Sequence, residues 1–214
     1  MTTPPWTFGN QPLDEQRELA TLLREVATHA LALEHPTDAL RELLGALRAA
    51  EPHLRADVPA DLGPRVAHRT EPDRRVYLDH ARDVGAYNPA FPVYELRCAG
   101  DAAEGGVELT HLHEGPPGTA HGGSLALLFD CVLQQLNCDL GIAGRTTSLE
   151  VRYRRPVPLH RWLRITAERA VDGDRITAGA RLWRDDTVLC EATMRSEAGR
   201  HEDLPVVAPR RRAP

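Results

Sequence analysis

The chain has 214 residues, 42% of them hydrophobic and 27% charged, which suits one sizeable soluble domain with an appendage. Its net charge of −5 gives no electrostatic case for nucleic acid, which calls for a basic face. All 26 basic residues are Arg, a pattern that reads as coding bias. No apolar run approaches the roughly 18 residues of a membrane span. The start, Met-Thr-Thr-Pro-Pro-Trp, has neither the basic region nor the apolar core of a signal peptide, so a cytoplasmic location is expected. Cys98, Cys131, Cys138 and Cys190 lack CxxC spacing and read as buried free thiols.

Residues 1–10 read as a loose tail. From Leu13 to Leu33, apolar residues recur at Leu19, Leu22, Leu23, Val26, Ala27, Ala30 and Leu31, which is helical spacing. Pro36-Thr37-Asp38 starts a second helix with Leu40, Leu43, Leu44 and Leu47 as its stripe, and Pro52 is expected to end it. This helical hairpin cannot bury both stripes alone. Residues 52–75 hold Pro52, Pro59, Pro64 and Pro72 and read as a linker. Beyond them the period falls to two. Val93–Cys98 is strand-like, and Val107–His113 is a second strand after a turn at Glu104-Gly105-Gly106. A helix from about His121 to Asn137 follows. Four strands come next, at Thr146–Arg154, Trp162–Val171, Arg175–Arg184 and Thr187–Ser196. Asp172-Gly173-Asp174 and Asp185-Asp186 supply hairpin turns between the last three. The expected layout is a helical hairpin and linker over 1–75, an α+β domain over 76–198 of order β-β-α-β-β-β-β, and a disordered tail over 199–214. The helix is apolar nearly all round from Leu125 to Leu133, so it should be wrapped by the antiparallel sheet on one side and covered on the other.

Chemistry concentrates in Gly118-Thr-Ala-His121-Gly122-Gly123. A helix N-terminus leaves N–H groups unpaired and carries partial positive charge. Gly122 and Gly123 would let a carbonyl approach those N–H groups and would stabilise an oxyanion. The competing reading is a tight turn that needs glycine for its backbone alone. Asp130 is the only charged residue between Ser124 and Asp139. It is either a functional carboxylate or a capped structural one. Gly123 and Asp130 lie seven residues apart, roughly 10 Å along a helix, too far to serve one carbonyl. An antiparallel helix from a second subunit could bring its own Asp130 across, so a homodimer with composite sites is expected. His121 is placed either to donate near the carbonyl or to cap the helix. His111 and His113, flanking Leu112, would share one strand face, but no acidic or Cys partner stands at ligand spacing, so no metal is expected. Ser124 lacks a triad pattern, and no GxSxG, GxGxxG or P-loop occurs.

These residues resemble the hotdog-fold acyl-CoA thioesterases, in particular the phenylacetate-pathway (PaaI-like) group. The likeness spans about residues 85–198. It rests on Gly118-x-x-His121-Gly122-Gly123-x6-Asp130, on Thr146-Thr147-Ser-Leu-Glu-Val-Arg-Tyr-Arg-Arg-Pro156-Val-Pro158-Leu, and on Asn88-Pro89 upstream. The resemblance implies a long helix wrapped by a curved antiparallel sheet, with the N-terminal helices as an extension. It implies two subunits joining their sheets, as a homodimer or a dimer of dimers, with an acyl-CoA thioester between them and no cofactor. Carried over by position, Gly122 and Gly123 supply the oxyanion site with His121 beside it. Asp130 is the general base, or a nucleophile, and Thr146 helps hold the water, with Thr147 as the fallback. Arg152, Arg154, Arg155 and Arg161 are candidates for the coenzyme A phosphates, or else a solvated strand edge, and Asn88 for substrate contact. Gln134-Gln135-Leu136-Asn137 is polar for a site that takes a long apolar chain, which points to a short, polar or aromatic acyl group. The implied activity is hydrolysis of an acyl-CoA to free acid and coenzyme A. The alternatives are a non-catalytic hotdog module that binds acyl-CoA or a protein partner, and a dehydratase or carrier-protein-directed relative.

Overall fold

The structure, a computed structural model, describes residues 13–58, 60, 65–66, 87–139, 144–198 and 208–209. The expected loose start, most of the proline-rich linker, the boundary at 75/76, nearly all of the tail and the Cys138 side chain lie outside the described residues.

Helix α1 spans Asp14–Leu31 and α2 spans Asp38–Asp57. Thr37 caps α2 by accepting the Leu40 N–H at 3.2 Å, as Pro36-Thr37-Asp38 predicts. Pro52 does not end this helix, which runs through it. The proline removes one backbone hydrogen bond, and α2 buries no residue, so water can serve the carbonyl left behind. Helix α1 packs on a 3₁₀ turn at His111–His113, and Thr28 and Thr110 join their hydroxyls at 3.0 Å.

Strands β1 (Arg65–Val66) and β8 (Ala208–Pro209) form a two-residue parallel pair. The main sheet holds β2 (Tyr94–Ala99), β3 (Ala102–Glu108), β4 (Gly144–Tyr153), β5 (Trp162–Asp172), β6 (Arg175–Arg184) and β7 (Thr187–Ala198). It is antiparallel throughout, in the order β2-β3-β5-β6-β7-β4, so β4 forms an edge. Two-residue turns join β5 to β6 and β6 to β7, with φ of 57° at Gly173 and 54° at Asp185, as the Asp/Gly signals predict.

The turn expected at Glu104-Gly105-Gly106 lies instead at Gly100-Asp101, where Gly100 has φ 57°. Gly105 and Gly106 are mid-strand in β3. A Cβ on Gly105 would stand 1.9 Å from the Glu95 carbonyl oxygen, and one on Gly106 would meet the Trp162 ring at 2.5 Å. Close approach requires these glycines, and no reversal of the chain does. The strand expected over Val107–His113 ends at Glu108, so His111 and His113 leave the shared strand face and stand on the 3₁₀ turn.

Helix α3 spans Gly122–Asp139 and lies across the inner face of the sheet. Leu125, Leu128, Phe129, Val132, Leu133 and Leu136 are buried against alternate strand residues such as Leu163, Ile165, Leu182 and Met194. Ala167, Ala178, Ala180 and Ala192 hold the inner positions nearest the middle of the sheet, and their small side chains let the helix sit close. One stripe of α3 is only partly covered by its own chain: Gly123, Leu127, Asp130 and Gln134 follow one another at helical spacing and none of them is buried.

Candidate active site

The loop before α3 is built by local rules. Pro116 accepts the Thr119 N–H at 2.9 Å around Pro117 and Gly118, and Gly118 has φ 75°, the left-handed position of a type II turn. Gly118 donates its N–H to Glu114 Oε1 at 2.6 Å. His121 donates its backbone N–H to the His113 carbonyl at 2.8 Å and Ala120 donates to Val157 at 2.9 Å, so the loop is fixed to the 3₁₀ turn and to the segment after β4.

His121 is the helix cap. Its Nδ1 accepts the Gly123 N–H at 2.9 Å, which leaves Nε2 as the exposed donor of the neutral ring. The two glycines expected to act together therefore differ. The Gly123 N–H is taken by His121, and the Gly122 N–H has no partner among the described residues. Neither glycine has a positive φ, so the helix start would accept other residues on backbone grounds. Their role is space. A Cβ on Gly122 would touch the Tyr153 ring at 3.2 Å, and one on Gly123 would touch His121 Nδ1 at 3.1 Å. Tyr153 lies over the helix start and donates its hydroxyl to the Gly122 carbonyl at 2.9 Å.

Asp130 is half-buried on the open stripe of α3. Burial pushes its carboxyl above the ordinary aspartate range, and a hydrogen bond from Thr146 pulls the other way. Thr146 Oγ1 donates to Asp130 Oδ1 at 3.3 Å and accepts from Gln134 Nε2 at 2.6 Å. Burial, and after it the charge of Asp130, pushes the neighbouring Cys131 thiol up to about 12, so it stays protonated.

Thr146, and not Thr147, reaches Asp130, and a β-bulge decides which. The β4–β7 register pairs Thr146 with Ser196 and Ser148 with Arg195, so Thr147 is the extra residue. Its hydroxyl turns to the Arg195 carbonyl at 3.0 Å. The bulge resets the alternation, so Thr146 faces inward together with Leu149 and Val151. β4 thus runs beside α3 with Thr146 at Asp130 and Tyr153 at Gly122.

The remaining expected residues lie apart from this group. Asn88 holds a turn, accepting the Ala90 N–H at 3.1 Å, and its carbonyl accepts from Arg24 at 3.4 Å. Arg152 pairs with Glu150 at 2.7 Å and Arg154 with Glu191 at 3.0 Å. Arg155 and Arg161 are exposed and have no side-chain partner among the described residues. A groove of about 700 Å³ crosses the outer face of the sheet between Arg97, Arg152, Arg164 and Arg181. It contains neither Asp130 nor the two glycines, and ion pairs such as Arg164–Glu104 at 3.7 Å line it, so it is a solvated charged face apart from the residues gathered on α3.

Of the ten expected site residues, Gly122, Gly123 and His121 gather at one end of α3. Asp130 and Thr146 gather about 10 Å further along. Gln134 was missed as a site residue. The signal that could have found it is its spacing, i+4 from Asp130 on one helix face.

A thioesterase superfamily protein of known structure is 29% identical over 92% of this chain and 98% of its own, with a TM-score of 0.66. The chain has the hotdog fold of the thioesterase superfamily. A phenylacetic acid degradation-related protein of Ralstonia eutropha JMP134 is 20% identical over 49% of this chain and 84% of its own, with a TM-score of 0.46. A hypothetical thioesterase protein of Streptococcus pneumoniae, solved with coenzyme A, is 21% identical over 50% and 88%, with a TM-score of 0.47. No protein-family profile and no curated protein matches the chain. No helix of the described hotdog chain is long and apolar enough to cross a membrane, and no group of three or more metal-ligating side chains occurs among its described residues.

Proposed function

We propose that this protein is a thioesterase that hydrolyses an acyl-CoA to the free acid and coenzyme A, at sites shared between two copies of the chain. The observation that carries the reading is Asp130. It is a half-buried carboxylate with no cationic partner among the described residues, raised by burial and held by Thr146 on the stripe of α3 that its own sheet leaves open. An unpaired carboxylate in such a place costs stability, and a general base is a use that would retain it.

In the proposed reaction the thioester carbonyl accepts the Gly122 N–H of one copy, with the exposed Nε2–H of His121 beside it. Asp130 of the other copy removes a proton from water as the water attacks, and the thiolate of coenzyme A leaves. Two features support the shared site. The helix separates the two ends by about 10 Å. The ten-residue strand β4, which flanks both ends, is the sheet edge and pairs only with β7 among the described residues, as an edge ready to meet another copy would. Arg155 and Arg161, exposed beyond Tyr153, are the proposed contacts for the coenzyme A phosphates. The polar run after Asp130, Gln134-Gln135 and Asn137, favours a short, polar or aromatic acyl group.

The test is thiol release from a panel of short, medium, long and aromatic acyl-CoAs, with wild type and Asp130→Asn. Release that falls at least about 10²-fold in the variant, at unchanged fold, supports the reading. Release from any panel member that does not depend on Asp130 removes that residue from the mechanism. No release at all moves the assignment to a binding module.

A further inference from the structure

We propose that Gln134 is a positioning residue for Asp130, acting through the Thr146 hydroxyl. This rests on the reading of Asp130 as the base.

The Thr146 hydroxyl carries a single proton. Gln134 Nε2 donates to Thr146 Oγ1 from 2.6 Å, so the hydroxyl proton must point elsewhere. Two acceptors stand on the other side, Asp130 Oδ1 at 3.3 Å and Met194 Sδ at 3.9 Å. The carboxylate oxygen is nearer and is much the stronger acceptor. Gln134 thereby converts a hydroxyl that could turn either way into a fixed donor to Asp130, and donation along the chain strengthens each link. Asp130 and Gln134 are one turn apart on α3, while the β-bulge presents Thr146 from β4, so the three groups come from two elements locked by the fold. A hydroxyl fixed in this direction favours the ionised carboxylate that a general base requires, against the burial that disfavours it.

Among the described residues, the strands packed on α3 bring no charged side chain that shifts Asp130, for burial and Thr146 are what move it. Arg169 of β5 donates to the Asn137 carbonyl from 3.5 Å, seven residues past Asp130. The Cys131 thiol stays neutral.

The test is a double-mutant cycle of Gln134→Met and Thr146→Val on the full chain, read by the titration of the Asp130 carboxyl in protein carrying ¹³C-carboxyl aspartate. The resonance is assigned by its loss in Asp130→Asn. Thr146→Val should raise the titration midpoint by about one pH unit, and Gln134→Met by about half as much. The double variant should match Thr146→Val alone, because the hydrogen bond to Thr146 is the route by which Gln134 reaches Asp130. The acid limb of kcat/KM should move in parallel. Gln134→Asn, whose shorter side chain falls short of Thr146, should shift the midpoint as Gln134→Met does and serves if the methionine variant fails to fold. An unmoved midpoint in the Gln134 variants, or shifts that add in the double variant, would overturn the proposal. The titration needs no turnover. A protein that hydrolyses no thioester yet shows the non-additive shift loses the functional reading, and the hydrogen-bond control of Asp130 by Gln134 stands without a catalytic role. Asp130-dependent hydrolysis with an unmoved midpoint does the reverse.

Discussion

Replacing Gly122 with alanine adds one methyl group at the first position of α3, where the backbone does not require glycine. On the stability side, alanine is worth up to about 1 kcal/mol over glycine inside a helix, and less in the first turn. The new Cβ meets the Tyr153 ring at 3.2 Å, so the ring must shift by a few tenths of an ångström. Tyr153 is 56% exposed and free to move, and losing its bond to the Gly122 carbonyl costs about 0.5–1 kcal/mol. The two effects nearly cancel, and the variant should unfold in urea within about 1 kcal/mol of wild type. On the activity side, in the proposed site the added methyl group crowds the Gly122 N–H that would hold the thioester oxygen, and losing one oxyanion donor costs about 10²–10³ in kcat. Urea denaturation together with thiol release separates the two. A loss above about 2 kcal/mol, with activity tracking the folded fraction, would mean that the glycine serves the fold. Full activity would remove Gly122 from the site.

Asp130→Asn should stabilise the protein in a pH-dependent way. The folded carboxyl titrates above its unfolded value, so the native state binds more protons between the two and wild-type stability falls as pH rises through that window. The advantage of the variant should be absent below about pH 4, grow as pH rises, and then level off. A gap that ignores pH, or closes upward, contradicts the burial argument. Gly105→Ala should cost at least about 3 kcal/mol, because its Cβ would lie 1.9 Å from a backbone oxygen that cannot yield without moving β2. Gly45→Ala, with nothing within 4 Å on α2, should instead gain up to about 1 kcal/mol, and chemical denaturation of the pair checks both signs. Phe129→Ala, at a fully buried position on the inner face of α3, should cost about 3–5 kcal/mol, and a loss below about 1 kcal/mol would mean that the helix is not anchored there.

The last three strands and α3 were legible because each carries its own period and stop signals. Leu163, Ile165 and Ala167 alternate with polar residues, and Gly173 and Asp185 mark turns that need left-handed backbone. The first hairpin was not legible in the same way. Glu104-Gly105-Gly106 carries a turn's composition, yet its glycines answer to Glu95 and Trp162, neighbours that only the folded sheet supplies. Pro52 misled because a proline breaks a helix most firmly where the freed carbonyl is buried, and α2 is exposed. At the site, the types and spacing of His121, Gly122, Gly123 and Asp130 could be read from the chain. The division of labour between the two glycines could not, since it depends on which way the His121 ring turns. The choice of Thr146 over Thr147 depends on one extra residue in β4, and a bulge has no signature in strand alternation. Gln134 looked like a comment on the acyl group, and its hydrogen bond to Thr146 gives it a second meaning.

The central claim is that hydrolysis uses Gly122 of one copy and Asp130 of another, and mixing two inactive variants tests it most directly. Asp130→Asn and Gly122→Ala are unfolded together, refolded together, and assayed for thiol release. If the site is shared, half of the dimers are mixed, and each mixed dimer holds one site with both residues intact. About a quarter of wild-type activity should then return. If the mixture is no more active than the two variants apart, the site lies within one chain and the shared-site account is wrong.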